Sequence, residues 1–337
     1  MRIEEFVDPV INKTWGELGA DIKLSEKKVE VGLGYPTDGF AEELKAELAR
    51  FLGVEELDVD FRFLRPKQRS FADVSRVIAV ASGKGGVGKS TCAVNIAMAL
   101  EQQGARVGLL DADIYGPSIG MMLGASPDLK PVVKEEKYFE PIKINGIRTM
   151  SMSFLVNENT PMVWRGPMAS GALQQMLLQT LWGDVDYLIV DMPPGTGDIQ
   201  LTLSQKVSVD GAVIVTTPQD IALQDAVKGI EMFRKVDVPI LGIIENMSTH
   251  VCENCGHESH MFGSGGGAVV AKKWEVPLIA QLPLSLDIRE KMDSGDPIVS
   301  RNVQHQSAGI FRSAARKISA NLWGSKPDLP TISLVSD

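Results

Sequence analysis

The sequence predicts an α/β fold in which a mostly parallel sheet is covered by helices on both faces and is preceded by a small α/β N-terminal domain. Short apolar runs rich in β-branched residues alternate with helical patterns along the chain, which is typical of parallel strands buried on both sides. One such run, residues 77–80, leads into a glycine-rich segment and then an apolar helical pattern that ends at Gly104. A strand, a glycine-rich turn and a helix in this order form the setting of a phosphate-binding loop.

Composition and charge limit the possible classes of function. The chain has 337 residues, 44% of them hydrophobic, so it can bury a sizeable core as one large domain or two unequal ones. The net charge of −9 disfavours a broad nucleic-acid surface. No apolar run approaches the length of a membrane span, the acidic N-terminus lacks a signal-peptide pattern, and three cysteines do not suggest a disulfide framework. We therefore expect a cytoplasmic protein that binds neither nucleic acid nor membrane.

Residues 1–64 are expected to form the small N-terminal domain. This region is acidic, because residues 1–62 hold 15 Asp and Glu against 8 Lys and Arg, a net charge of −7. Apolar residues at alternating positions mark its strands, and apolar residues at helical spacing mark its helices. The predicted elements are a helix over residues 3–18 interrupted near Pro9, a strand over residues 29–33, a helix over residues 40–51 and a strand over residues 57–63.

A basic linker, residues 65–75, is expected to join this domain to the large domain of residues 76–337. The run Arg65-Pro-Lys-Gln-Arg69 reverses the acidic character of the preceding residues and contains a proline. We expect this run to be a solvated tether rather than a binding surface.

The segment at residues 81–91, ASGKGGVGKST, carries the most specific signal. Its glycines allow the backbone to curl tightly and point N–H groups inward, and the following helix offers its positive end to an anion. A lysine near the end of the motif can reach the outer phosphates of ATP, and the next hydroxyl can ligate Mg²⁺. The sequence therefore predicts a P-loop NTPase fold that binds ATP or ADP with Mg²⁺. The predicted binding residues of the loop are Gly83, Lys84, Gly85, Gly86, Val87, Gly88, Lys89, Ser90 and Thr91.

Carboxylates follow two further predicted strands. The run at residues 106–110 leads into Asp111-Ala-Asp113, and the run at residues 186–190 leads into Asp191-Met-Pro-Pro-Gly-Thr-Gly-Asp198. Side chains at the carboxyl ends of parallel strands lie where open α/β sheets bind ligands. Asp191 fits the Walker B role of holding Mg²⁺, and the glycine- and proline-rich loop after it is placed to sense the outer phosphate.

Two cysteines in the pattern CxxC, Cys252 and Cys255, precede His257 and His260. Two thiolates at this spacing can bind one soft metal ion or a cluster, although they are too few for a site with four cysteines. Cys92 is expected to pack in the core, since it lies in the helix after the phosphate loop. Three alternatives remain open: Zn²⁺ completed by the histidines, a [4Fe–4S] cluster completed by two cysteines of a second copy, or a redox dithiol.

The segment KGGVGKST resembles the deviant phosphate loop of the MinD, ParA and nitrogenase-iron-protein class. The resemblance implies that Lys84 crosses a dimer interface to the nucleotide of the partner, and that Asp113 activates the attacking water. It also implies that Asn246, in the segment Glu-Asn-Met after a later strand, contacts adenine and that the backbone around Pro283 completes the base pocket. The catalytic residues implied are thus Lys84, Lys89 and Asp113.

Together with DADIYGPS, DMPPGTGD and the CxxC, these motifs resemble the Mrp/ApbC family of iron–sulfur cluster carriers over residues 77–322. The N-terminal residues VDPVINKTWGELGADI resemble the small domain often joined to iron–sulfur assembly ATPases. The cysteine that relatives often carry there is absent from Tyr35-Pro-Thr-Asp38, so a partner-binding role fits this domain better than a metal role. The resemblance implies an ATP-hydrolysing homodimer that receives a [4Fe–4S] cluster from cluster donors and transfers it to acceptor apoproteins.

Two other classes of function remain possible at this point. A positioning ATPase of the MinD/ParA type would need a basic surface or an amphipathic tail, and the last predicted helix, residues 307–322, is expected to dock onto the protein instead. An ATP-driven electron-transfer protein would also bridge a cluster between two subunits, and sequence does not separate it from a carrier.

Overall fold

The computed structural model describes residues 2–24, 28–67, 73–114, 116–155, 166–195, 197, 200, 208–252, 254–301 and 305–324. The N-terminal residues form a small sheet in which β2 pairs with β1 antiparallel and with β3 parallel. The elements of this region are a 3₁₀ turn Ile3–Glu5, α1 Trp15–Leu18, β1 Asp21–Leu24, β2 Val29–Leu33, α2 Ala41–Leu52 and β3 Val59–Phe63.

The predicted helix over residues 3–18, interrupted near Pro9, is reduced to the 3₁₀ turn Ile3–Glu5 and to α1, because a buried carboxylate fixes a turn between them. Asp8 has no exposed surface, and it accepts hydrogen bonds from the Val10 backbone N–H, from Trp15 Nε1 at 2.9 Å and from the Tyr35 hydroxyl at 2.7 Å. A buried carboxylate must be hydrogen-bonded in this way, and the turn after Pro9 provides the geometry. The other predicted elements of this region are confirmed, and the sequence did not single out β1.

The centre of the molecule is a sheet that contains eight strands within the described residues. Its order is β15-β12-β11-β4-β10-β5-β9-β8, and neighbouring strands are parallel except for β8 against β9. The predicted mostly parallel sheet is therefore confirmed. The strands of the large domain are β4 Val74–Ala81, β5 Val107–Asp111, β6 Val132–Lys134, β7 Tyr138–Glu140, β8 Ile142–Ile144, β9 Ile147–Ser151, β10 Val185–Asp191, β11 Gly211–Thr216, β12 Ile240–Glu245, β13 His250–Val251, β14 Glu258–Ser259 and β15 Leu278–Gln281.

Helices cover both faces of this sheet. Along β4, Ile78 and Val80 pack on one face, whereas Val77 and Ala79 pack on the other, because successive strand residues point to opposite sides. The first face is covered by α3, α8, α9 and α10, and the second by α5, α6 and α7. The helices are α3 Lys89–Gln102, α4 Ile119–Met122, α5 Gly166–Leu178, α6 Asp220–Lys235, α7 Gly266–Lys273, α8 Leu286–Asp293, α9 Ile298–Arg301 and α10 Gln306–Gly324, with a 3₁₀ turn at Met152–Phe154.

The stretch at residues 124–148 adds β-structure to one edge of the main sheet. β6 and β7 pair with each other, and β8 pairs antiparallel with β9 at the end of the main sheet. Short strands of three residues give too few alternating positions for a reliable sequence pattern. Residues 156–165 lie outside the described part of the chain, and the helix after them runs over Gly166–Leu178.

The two parts of the chain contact each other closely. Arg65 forms an ion pair with Asp186, which has no exposed side-chain surface, and its second nitrogen donates to the Gly104 carbonyl at 3.1 Å. The expected solvated tether is therefore wrong at Arg65, since a buried carboxylate holds this residue on the large domain; Arg69 lies outside the described residues. Ala320 of α10 belongs to the core of the small sheet, and the Arg316 guanidinium lies 3.8 Å from the centre of the Phe40 ring.

The last helix is docked, as the sequence predicted. Phe311, Ala314 and Ile318 of α10 are buried against the sheet face that also carries α3. Its apolar side is thus used inside the protein. A helix long and apolar enough to cross a membrane does not occur among the described residues.

Candidate functional site

The loop after β4 lies at the carboxyl edge of the sheet, where its glycines are required by geometry. Gly88 has a φ of +82°, in the left-handed region, and an added Cβ would lie 2.2 Å from Asn246 Nδ2. At Gly83 an added Cβ would lie 2.3 Å from the backbone of Asp225 in α6. The loop is therefore enclosed by α6 and by the segment after β12, and larger residues at these two positions would displace it.

Three predicted residues converge at the start of α3. Lys89, only 6% exposed, places Nζ 2.5 Å from Asp191 Oδ1, and the Ser90 hydroxyl donates to Asp191 Oδ2 at 2.5 Å. They meet because β10 lies next to β4, so Asp191 ends its strand beside the phosphate loop. Burial raises the pKa of Asp191, while the Lys89 ammonium opposes that shift. The Ser90 and Asp191 oxygens form the kind of donor set that Mg²⁺ takes in phosphate-binding loops.

The two carboxylates after β5 have different surroundings. Asp111 is buried, and its oxygens accept hydrogen bonds from the backbone N–H groups of Asp113, Ser118 and Ile119 and from the Ser151 hydroxyl. Burial, and then the charge of Asp191, raise the pKa of Asp111 to about 7. Asp113 is half-buried, and its charge contributes to the raised pKa of Asp191. Asp111 thus orders the loop through its hydrogen bonds, and the charge of Asp113 acts on Asp191 beside the phosphate loop.

The loop after Asp191 is attached to the strand that carries the phosphate loop. The Met192 N–H donates to the Val80 carbonyl at 3.0 Å, and the Gly195 N–H donates to the Ser82 carbonyl at 3.0 Å. Gly195 has a φ of +99°, which favours glycine at this position. Thr196 and Asp198 of the predicted sensor segment lie outside the described residues.

Two residues predicted from the family resemblance contact the phosphate-loop region. Lys84 is half-buried and donates to Gln219 Oε1 at 3.4 Å, at the N-terminus of α6. Asn246, 8% exposed, donates from Nδ2 to the Val87 carbonyl at 2.9 Å. Gly85, Gly86 and Thr91 lie in the same loop and at the start of α3. The segment after β12 is therefore attached directly to the loop.

Pro283 lines a cavity of about 540 Å³ beside the segment after β12. The cavity lies between the end of β15, the start of α10 and a short hairpin made of β13 and β14. Other residues that line it include Ser248, His250, Gln281, Asp287, His305 and Ile310. Polar groups that converge on a concave site of this size suit a small ligand.

The hairpin of β13 and β14 carries the CxxC. Cys252 is half-buried and Cys255 is exposed, and no disulfide joins them. The Cys252 N–H donates to the His257 carbonyl at 2.9 Å, and the Gly256 N–H donates to the Cys252 carbonyl at 2.8 Å, so the two cysteines lie on one tight turn. Among the described residues, no group of three or more His, Cys, Asp or Glu side chains converges in a way that could hold a metal ion.

Two of the histidines near the cysteines, His250 and His260, contact backbone carbonyls. His260 Nδ1 lies 3.1 Å from the Ser248 carbonyl, and His250 Nδ1 lies 3.3 Å from the Leu284 carbonyl, while His257 is exposed. The described residues therefore do not assemble the zinc site that these histidines would complete. Cys92 is buried in α3, as expected, and burial raises the pKa of its thiol to about 12.

Sequence reasoning missed several groups that hold the site together. Glu245, fully buried at the end of β12, accepts from the Gly267 N–H and from Gln281 Nε2, each at 2.6 Å. Gln219 and Ser151 also escaped notice, because a single polar residue after a strand has no distinctive pattern. Their signal was position: each lies at or just beyond the carboxyl end of a strand of the main sheet.

Comparison with known proteins supports the same assignment of fold. A nucleotide-binding protein from Archaeoglobus fulgidus, solved in complex with ADP, is 37% identical with a TM-score of 0.59, covering 66% of this chain and 88% of its own. The cell division ATPase MinD from Pyrococcus furiosus has a TM-score of 0.55 over 72% of this chain and 98% of its own, and its 23% identity shows the fold alone.

Similar sequences extend over most of the chain. A protein from Pseudomonas fragi named iron–sulfur cluster carrier protein is 58% identical over 244 residues, which is 72% of this chain and 85% of its own length. One of the same name from Deinococcus radiodurans is 41% identical over 325 residues, 94% of this chain and 92% of its own. The mouse iron–sulfur cluster transfer protein NUBPL is 48% identical over 77% of this chain and 82% of its own. The ParA family model, described as NUBPL iron-transfer P-loop NTPase, matches residues 73–319, and the chain belongs to this family.

Proposed function

We propose that this protein is a cytoplasmic, ATP-hydrolysing iron–sulfur cluster carrier in which two copies hold one [4Fe–4S] cluster and pass it to acceptor apoproteins. One observation carries the proposal: Cys255 is exposed and Cys252 half-buried on one turn of a hairpin, and the described residues contain no group of three or more His, Cys, Asp or Glu that could hold a metal ion. A chain that offers two thiolates at its surface presents half of a four-cysteine site. Its relatives bear the names of cluster carriers.

The phosphate loop and its carboxylates support ATP binding and hydrolysis. Lys89 would neutralise the outer phosphates, and the N–H groups of the loop would bind their oxygens. Ser90 and Asp191 would hold Mg²⁺, which neutralises phosphate charge when it is bound. Asp113 would orient the attacking water, since it is the half-buried carboxylate on the same edge of the sheet. In this type of reaction the protein contributes mainly positioning and electrostatic stabilisation.

The base of the nucleotide is proposed to enter the cavity beside Pro283. Asn246 Nδ2 is already engaged by the Val87 carbonyl, so its Oδ1 is the atom suited to accept from the amino group of adenine. In this arrangement the same amide would hold the phosphate loop and recognise the base.

The homodimer is proposed to form across the face that carries Lys84 and the CxxC. Lys84 lies at the N-terminus of α6 next to Gln219, from where its flexible stem would extend to the nucleotide of a facing subunit. Apolar side chains on this side of the molecule are exposed, among them Ile221 at 69% and Val269 at 68%. A dimer interface there would bury them and bring the two cysteine pairs together.

The test is iron and acid-labile sulfide content after anaerobic cluster reconstitution, compared with the double variant Cys252→Ser, Cys255→Ser. We expect iron and sulfide in equal amounts, about four of each per dimer for a [4Fe–4S] cluster, and neither in the variant. The oligomeric state is measured in the same samples by light scattering.

Transfer is then followed by mixing the loaded protein with an apoprotein that needs a [4Fe–4S] cluster. Zinc without sulfide, even after reconstitution, would contradict the proposal and favour a positioning ATPase. Reversible reduction during ATP turnover with the cluster retained would instead indicate an electron-transfer protein.

A further inference from the structure

The loop after Asp191 is far from the cysteine hairpin within one chain. The hairpin follows β12, and Asp191 ends β10, which lies three positions away in the sheet with β11 and β4 in between. Neighbouring strands lie about 4.8 Å apart, so roughly 14 Å separates the two strand ends. Any link within one subunit between nucleotide and cysteines must therefore use other contacts.

A path of two hydrogen bonds joined by the short backbone segment of residues 246–248 runs from the phosphate loop to the hairpin by a different route. It begins at the Val87 carbonyl, which accepts from Asn246 Nδ2 at 2.9 Å. The Asn246 backbone N–H in turn donates to the Thr216 carbonyl at 2.8 Å, so the residue is fixed from two sides. Met247 then has a φ of +56°, which turns the chain sharply towards Ser248.

Ser248 is the second fixed point of this path. Its backbone N–H and its hydroxyl both donate to the Leu282 carbonyl, at 2.9 and 3.0 Å, and the residue is 4% exposed. Its own carbonyl accepts from His260 Nδ1 at 3.1 Å. The histidine therefore joins the segment that leaves β12 to the segment that leaves the hairpin, and both cysteines lie in the chain between the two.

We propose that His260 is a positioning residue: the path Val87–Asn246–Ser248–His260 transmits the state of the phosphate loop to the cysteine pair. This inference rests on the proposed carrier function. Within the described residues the hairpin has two pairs of facing residues, His250 with Ser259 and Val251 with Glu258. A two-stranded ribbon of this length is marginal by itself, so contacts at its base hold its orientation. Thr249 and His250 contact Leu284 on one side, and His260 contacts Ser248 on the other.

The cavity beside Pro283 adds a second reason for coupling. His250, Val251, Glu258 and His260, all of the hairpin stem or next to it, line the cavity in which we propose the base to sit. A bound base would thus touch the stem directly, while the phosphates act on Val87 from the other end of the path. The base and the phosphates of the nucleotide would then both influence the orientation of Cys252 and Cys255.

The test uses the full-length, cluster-free protein under anaerobic conditions. The rate at which a thiol reagent modifies Cys252 and Cys255 is measured with and without a non-hydrolysable ATP analogue and Mg²⁺. Cys92 does not interfere, because it is buried and its pKa is raised to about 12. We expect the analogue to change the rate by about fivefold, which is what one net hydrogen bond is worth.

Four variants separate positioning from general damage. His260→Ala should bring the ratio of the two rates close to one. The ratio is measured at a saturating concentration of the analogue for each variant, because His260 also lines the cavity proposed for the base. His260→Asn should restore the ratio, since its amide nitrogen takes the place of Nδ1, whereas His260→Gln should not. His257→Ala is the matched control: this histidine is on the same hairpin and exposed, and it contributes only a backbone carbonyl to the turn.

The outcomes are distinct from those that test the carrier function. An unchanged ratio in His260→Ala, or a wild-type rate that does not respond to the analogue, would overturn the path whether or not a cluster is loaded. An equal loss in His257→Ala would also overturn it, because the effect would then belong to the hairpin as a whole. Absence of iron and sulfide in the reconstituted protein would instead contradict the proposed function while leaving the labelling result to stand alone.

Discussion

The phosphate loop and the cysteine hairpin lie at the same edge of the sheet, yet they are built in opposite ways. Lys89 and Asp191 are almost completely buried and held together by short polar contacts from one chain. Cys255 is exposed on a hairpin of four strand residues, and among the described residues no group of three or more His, Cys, Asp or Glu could hold a metal ion there. The polar groups of the phosphate-loop site are buried by residues of the same chain, whereas the cysteine hairpin is partly exposed to solvent.

This difference fits the different functions proposed for the two sites. Phosphate binding depends on backbone N–H groups and charges whose positions are fixed before the ligand binds. A buried loop held by hydrogen bonds and an ion pair provides such fixed positions. A cluster that is to be transferred needs ligands that can be approached and released, which an exposed hairpin provides. Four predictions, from the largest expected effect to the smallest, can break or sharpen this comparison.

The three cysteines should differ in reactivity according to their burial, because Cys92 is buried while Cys252 is half-buried and Cys255 is exposed. Cys92 should react with a thiol reagent at pH 8 roughly a thousandfold more slowly than the hairpin cysteines. Burial raises the pKa of its thiol to about 12, and each pKa unit above the pH lowers the fraction of reactive thiolate tenfold. Counting thiols in native and denatured protein checks this: two react at once, and the third reacts only after denaturation. Three rapidly reacting thiols in the native protein would show that Cys92 is not buried.

Removing the charge of Lys89 should strongly lower the rate of ATP hydrolysis without preventing cluster loading at the cysteines. We expect Lys89→Ala to lower the rate of ATP hydrolysis by about 10²–10³-fold, the usual effect of losing one preorganised electrostatic contact. Cluster loading should persist, because the cysteines lie outside the buried site. Lys228→Ala, at an exposed lysine of α6, is the control and should keep normal turnover. Loss of loading in Lys89→Ala would show that the two sites are not separable.

Two glycines in left-handed backbone allow a matched comparison of packing. Gly88 in the phosphate loop would place a Cβ 2.2 Å from Asn246 Nδ2, whereas an added Cβ at Gly256 in the hairpin would meet nothing within 4 Å. Both alanine variants carry the backbone penalty, so Gly88→Ala should lower the free energy of unfolding by about 1–3 kcal/mol more than Gly256→Ala. Urea denaturation measures this difference, and equal losses would mean that the loop is not tightly packed.

The smallest effect, taken per pH unit, concerns the pH dependence of the free energy of unfolding of the nucleotide-free protein. The pKa of Asp111 is raised from its ordinary value of 3.8 to about 7. Between these two pH values the folded state therefore keeps a proton on Asp111 that the unfolded state releases. The contribution of this group is fully present below pH 3.8 and is lost as the pH rises through 7. The free energy of unfolding should therefore fall across this window by at most about 1.4 kcal/mol per pH unit.

Urea denaturation at several pH values checks the sign of this effect, with Asp111→Asn as the comparison. The variant cannot ionise at this position and should show a flatter profile between the two pKa values. A wild-type profile that rises with pH in this window, and that the variant does not alter, would mean that Asp111 stays ionised in the folded protein.

Much of this protein was determined by local sequence. Apolar runs of β-branched residues specify the strands of the main sheet whatever their neighbours, and the glycine-rich motif specifies the phosphate loop because only that backbone can curl around an anion. The CxxC is likewise local, since both cysteines belong to one turn. The roles of Asp113, Lys84 and Pro283 with nucleotide, and the division into domains at residues 1–64, 65–75 and 76–337, stay predictions.

Only the tertiary structure decided the contacts that connect these parts. The order of the strands places Asn246 against Val87, 159 residues earlier in the chain, and Arg65 against Asp186, 121 residues later. A pattern read along one strand or helix carries no information about such pairs, because they depend on which strands become neighbours and which buried polar groups then need a partner. The same reason explains the turn at Asp8 and the contact of His260 with Ser248: a hydrogen-bonding group leaves water only when the fold brings its partner to it.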